Sequence, residues 1–130
     1  MDDKPATETV DAQKALAALL AGERCAFGPT FFLQYLGDLV RDRCPEPHER
    51  LPRVGAHLIG GDVLDLCHIQ AVAPRWVALV ARDPKHATTM LTELVPYEAI
   101  VRITIGEPSG SGAPTIGFDP RHVPDVMGAV

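Results

Sequence analysis

Between Arg53 and Ile105 the apolar residues fall into short runs with a period near two, and tight-turn residues separate the runs. This feature constrains the fold most, because period two puts alternate side chains on opposite faces of a strand. Val101, Ile103 and Ile105 alternate with Arg102 and Thr104, the clearest half-buried strand in the chain. Four further strands are expected: Val54 to Ile59, Asp62 to Val72, Arg75 to Arg82, and Leu91 to Val95. Gly60-Gly61 supplies the permissive backbone of a hairpin turn between the first two. The alternation of the second strand breaks near Leu66-Cys67, which predicts a bulge or bend. Ala73-Pro74 and Pro96-Tyr97-Glu98 read as turns, and Asp83 to Thr88 as a polar loop. Five short sequential strands favour a small antiparallel barrel, a shape that removes most exposed sheet edges.

The flanks differ in character. An N-terminal helix is expected from Thr7 or Thr9 to Gly22, with a stripe of Val10, Ala15, Leu16, Leu19 and Leu20. A second helix is expected to open at Pro29 and close at Cys44-Pro45, with Phe31, Phe32, Tyr35, Leu36, Leu39 and Val40 on its apolar face. Pro45, Pro47 and Pro52 stiffen the connector that follows. After Gly106 the Gly/Ser/Pro composition is that of a flexible linker. Beyond it Ile116, Phe118, Val123, Val126 and Met127 either dock on a folded surface or belong to a disordered end. The chain therefore divides into a helical extension (1–52), a strand region (53–105) and a linker with a tail (106–130).

Several function classes are disfavoured. The formal net charge is -5, and phosphate binding wants a positive surface, so no DNA partner is expected. The acidity lies outside the strands, however, because residues 53–105 carry five basic and five acidic side chains. Cys25, Cys44 and Cys67 form neither a disulfide framework nor a zinc pattern, and no metal or other cofactor is expected. No apolar run is long enough to span a membrane, and the start lacks a secretory pattern, so a soluble cytoplasmic protein is expected. Asp62, Asp65 and His68 share the second strand, but no nucleophile elbow, Walker loop or Rossmann turn accompanies them. The expectation is a protein without catalytic residues.

The strand region resembles the Sm-like family, to which Hfq, Sm and Lsm proteins belong. Leu58-Ile59-Gly60-Gly61 resembles the family's apolar-apolar-Asn-Gly turn, and Trp76-Val77-Ala78-Leu79-Val80 its third strand. Leu94-Val95-Pro96-Tyr97-Glu98-Ala99-Ile100 resembles its fourth strand, 3₁₀ link and fifth strand. The resemblance implies a strongly bent five-stranded barrel and a homo-oligomeric ring of roughly six or seven copies, the fourth strand of each pairing with the fifth of the next. It also implies RNA binding at the pore through the turns after the second and fourth strands. Here those turns offer Arg75, Trp76, Tyr97 and Glu98 as RNA- or ligand-facing residues. Trp76 suits base stacking and Arg75 suits a phosphate. The chain departs from the family in placing Tyr97-Glu98 where Hfq carries Lys-His. Glu98 repeated around a ring would repel phosphates within a Debye length of about 8 Å. Two readings result: a non-enzymatic ring module that binds RNA or a nucleotide, and an oligomeric interaction scaffold that binds none.

Overall fold

The computed structural model describes residues 12–14, 24–43, 52–106 and 117–128. The expected first helix falls mostly outside the described residues, although 12–14 are helical. The proline-rich connector (44–51) and the linker (107–116) also lie outside them.

The described chain is mainly β. Strands β1 (Arg53–Leu58), β2 (Val63–Val72), β3 (Trp76–Asp83), β4 (His86–Pro96), β5 (Ile100–Gly106) and β6 (Asp125–Val126) belong to one sheet. A π-helical turn, Phe31–Tyr35, runs directly into helix α1, Leu36–Arg43. Phe32, Leu36 and Val40, one every four residues, are the buried stripe of this segment. Leu33, Tyr35 and Leu39 remain exposed, so only part of the expected aromatic face is core.

The sheet order is β4-β3-β2-β1-β5, with β6 added to β2. The β1–β2 hairpin turns as expected at Gly60-Gly61, where Gly61 has φ +100° and the Gly61 N–H donates to the Leu58 carbonyl at 2.9 Å. The register of β2 against β3 shifts between Leu66 and His68, where the broken alternation predicts it, and again between Ile69 and Ala71. β4 starts earlier than its apolar run: Asp83 pairs with His86 across a tight turn, so most of the expected polar loop is strand.

The closed barrel expected from the strand count is not formed within one chain, because the sheet is open. Its two end strands, β4 and β5, are not hydrogen-bonded neighbours. The cause is local. Pro96 offers no N–H, and a three-residue 3₁₀ turn, Tyr97–Ala99, redirects the backbone. The Ile59 N–H then donates to the Ala99 carbonyl at 2.8 Å, and Ile100 emerges opposite Leu58 of β1 rather than beside β4.

The core lies between the helix and the inner sheet face. It joins Phe32, Leu36 and Val40 to Val54, Leu66, Ile69, Val72, Val77, Leu79 and Phe118, among others. Phe118 decides between the two readings of the tail. Its ring is buried, and its N–H donates to the Pro52 carbonyl at 2.7 Å. The Asp119 N–H reaches the Cys67 carbonyl at 2.8 Å, β6 pairs in parallel with Ala71-Val72, and the Met127 N–H reaches the Val72 carbonyl at 2.8 Å. The segment thus covers the half of β2 that β1, which pairs only with Val63 to Leu66, leaves bare.

Burial alone would raise the pKa of the Asp119 carboxyl. The Arg121 N–H and guanidinium hydrogen bonds, with the charges of Arg121 and His122, overcome it and hold the group below the ordinary value. Its contribution is therefore present above the usual carboxylate range and lost as pH falls through the lowered value.

Replacing Phe118 with Ala should destabilise the domain by about 3 kcal/mol or more through lost burial and a cavity. Urea unfolding of the variant measures this; a change within error of zero would mean that the segment is not a core element.

Candidate functional site

The four residues singled out from the sequence meet at one end of the sheet. Arg75 and Trp76 stand where the β2–β3 turn becomes β3, and Tyr97 and Glu98 open the 3₁₀ link. The pairing of Trp76 with Pro96 brings the two connections together. The Tyr97 N–H donates to the Arg75 carbonyl at 3.3 Å, and the Ala73 N–H donates to the Trp76 carbonyl at 2.9 Å.

Their exposures differ, and this corrects one expectation. Tyr97 does not face a ligand. Its ring is fully buried, 6.1 Å from the Phe32 ring centroid, and its hydroxyl donates to the Ala73 carbonyl at 2.6 Å. A buried phenol needs a partner for its hydroxyl, and here the partner is the neighbouring turn. Tyr97 pins the two connections together and presents nothing outward. Arg75 and Glu98 are exposed and Trp76 is half-buried. The outward surface of this end is therefore one cation, one anion and the edge of an indole. Such a set can stack a planar group and pair with a charged one.

The residues weighed for acid-base chemistry are not brought together. Asp62 lies in the hairpin before β2. The Asp65 carboxylate is 3.7 Å from Arg53 and 3.8 Å from Arg82. His68 Nε2 lies 3.2 Å from Gln70 Oε1, and its ring stacks on His122 with centroids 4.1 Å apart. The Cys67 thiol donates to Met90 Sδ at 3.1 Å. Burial raises its pKa, the Asp65 charge adds to this, and Arg82 opposes it, so the thiol stays protonated. Among the described residues no group of three or more His, Cys, Asp or Glu is placed to hold a metal ion. None of their helices is long and apolar enough to cross a membrane.

A groove of about 260 Å³ runs between the helix and the C-terminal segment, lined by Phe32, Gly37, Arg41, Phe118, Arg121 and His122 among others. Its arginines are already engaged. Arg41 bonds Asp38 at 2.6 Å and the Pro120 carbonyl at 3.3 Å, and Arg121 bonds Asp119 at 3.2 Å.

Sequence reasoning missed a second polar constellation, formed by Arg53, His57, Arg102 and Thr104. His57 lies 3.2 Å from Thr104 Oγ1 and 3.4 Å from an Arg102 nitrogen. Only the β1–β5 register, which sets His57 opposite Arg102, could have revealed it.

No protein-family model, curated protein or solved structure matches this chain.

Replacing Tyr97 with Phe should cost about 1–2 kcal/mol, because the Ala73 carbonyl loses its buried partner while the ring still fills its place. Thermal or denaturant unfolding measures it. A neutral substitution would show that the hydroxyl does not hold the two connections together.

Proposed function

We propose that the protein is a non-enzymatic, self-assembling binding module of Sm-like architecture. In this reading β4 of one copy pairs with β5 of the next until a ring closes. The strand order carries the reading, since it leaves β4 and β5 as the two end strands. Leu94 on β4 and Val101 on β5 are 65% and 54% exposed. An apolar edge with free N–H and C=O groups is a template for another strand. A head-to-tail contact between two different edges of the same chain gives a ring when the rotation closes.

Assembly would gather one copy of Arg75, Trp76 and Glu98 per subunit around a pore. Single-stranded RNA is the ligand we propose there, its bases stacking on Trp76 and its phosphates meeting Arg75. A second reading, an interaction scaffold without RNA, draws support from Tyr97 and Glu98. One is buried and the other is an exposed anion, where the resemblance places a basic pair.

Native mass spectrometry tests the assembly. The wild-type chain should give a discrete complex at a multiple of the 14.0 kDa protomer. Leu94→Lys with Val101→Lys should return it to the protomer with an unchanged circular dichroism spectrum. A wild-type protomer at micromolar concentration would overturn the ring. Fluorescence polarisation with uridine- and adenine-rich oligonucleotides tests the ligand. Trp76→Ala should weaken binding by roughly 5- to 100-fold if one base stacks there. Absence of salt-sensitive binding at low ionic strength would leave the scaffold reading.

A further inference from the structure

Val54 and Ala56 of β1 enter the core, so Arg53, Gly55 and His57 point to the opposite, outer face of the sheet. The register sets Asp65 and Thr104 on either side of Gly55, and Arg102 beside His57. Arg82 joins the same face through Asp65. Among the described residues, three guanidiniums, an imidazole and a hydroxyl thus share this surface with a single neighbouring carboxylate, Asp65.

That carboxylate does not satisfy them. One oxygen, Oδ2, stands 3.7 Å from Arg53 and 3.8 Å from Arg82, both beyond hydrogen-bond range. The Arg82 side chain is only 16% exposed, and its Nε and one Nη are buried without a hydrogen-bond partner. Those two nitrogens are closed to solvent, so Arg82 adds a fixed positive charge beneath the face rather than donors that a ligand can touch.

The other half of the face is arranged to donate. A guanidinium has only donors, so His57 Nδ1 accepts from Arg102 and Nε2–H donates to Thr104 Oγ1. The Thr104 hydroxyl keeps its own proton for an outside acceptor. Gly55 leaves the floor open between these groups. A Cβ there would stand 2.8 Å from Thr104 Oγ1 and 3.4 Å from Val63 Cγ1.

We propose that this outer face, centred on Gly55 and carrying Arg53, His57, Arg82, Arg102 and Thr104, docks the phosphodiester backbone of single-stranded RNA. The two exposed arginines, Arg53 on β1 and Arg102 on β5, lie four register positions apart, about 13 Å. One phosphate cannot reach across that width, and a strand with repeated phosphates does. The site names a second surface for the ligand class proposed above. It needs no ring, since every residue belongs to one chain. It is also separate from the pore residues: Trp76 and Arg82 are six residues apart on β3, about 20 Å.

The test is fluorescence polarisation of a labelled uridine-rich RNA with the full chain over a range of salt. Phosphate contacts at Arg53 and Arg102 should contribute about -1.4 to the slope of log K against log salt, at about 0.7 per contact for single strands. Arg53→Glu with Arg102→Glu should weaken binding by roughly tenfold or more and flatten the slope. Both side chains are exposed, so the fold should survive, as circular dichroism would verify. Trp76→Ala should leave that slope in place. Affinity within twofold of wild type in the folded double variant would overturn the proposal, even if Trp76→Ala abolished binding and upheld the pore. Inorganic phosphate should compete only as its ionic strength dictates. Saturable displacement by phosphate or a mononucleotide at submillimolar concentration would assign a single-phosphate pocket and overturn strand docking.

Discussion

The hydrogen bond from Tyr97 to the Ala73 carbonyl, at 2.6 Å in a fully buried setting, is the contact on which the arrangement of the sheet end depends. It ties the β2–β3 turn to the β4–β5 link, while the same ring approaches Phe32 of the helical segment. Three parts of the chain that are distant in sequence are therefore fixed by one side chain. A buried hydroxyl is costly unless paired, so this contact favours one relative placement of the two connections over its neighbours. Where Pro96 and the 3₁₀ turn separate the fourth and fifth strands, this contact fixes the link in place, so that Arg75, Trp76 and Glu98 share one end.

The separation leaves unpaired edges, and the chain treats its edges unequally. The stretch of β2 beyond Leu66 lacks β1 as a partner, and there the C-terminal segment supplies hydrogen bonds at Cys67, Ala71 and Val72. Phe118 anchors the segment in the core. Among the described residues no such cover lies on β4 or β5. Within the described residues a buried aromatic closes one edge while two others stay open with Leu94 and Val101 exposed, and this contrast supports the edge pairing proposed above.

Much of this was legible in the sequence, for identifiable reasons. Period-two alternation marks β5, the Gly60-Gly61 pair marks the hairpin, and the lost alternation at Leu66-Cys67 marks the register shift. These signals are local. The first half of β4 was not legible, since Asp83 to Thr88 is polar and the pairing of His86 with Asp83 leaves no apolar trace. The role of Tyr97 was read the wrong way round. A short turn has no periodicity from which inward and outward can be told, and only its contacts with Ala73 and Phe32 settle the direction. β6 spans two residues, too few for any pattern. The Arg53–His57–Arg102–Thr104 group joins positions 45 and 47 residues apart, so it exists only once the register is fixed.

Net charge illustrates the same point about locality. A value of -5 for the whole chain argues against a polyanionic partner only if the charges act from one place. At physiological salt a charge is felt over about 8 Å, less than the span of this sheet. Among the described residues of the outer face Arg53, Arg82 and Arg102 outnumber Asp65, whereas Asp38 is paired with Arg41 on the helix and Asp83 accepts the Lys85 N–H at a turn. In the proposed docking, a phosphate would meet this local balance before the global one. At the other end of β3 it meets Arg75 and Glu98 together, whose charges offset. If both surfaces engage one strand, its attraction comes from the outer face, and the Arg75–Glu98 end contributes stacking on Trp76 more than charge.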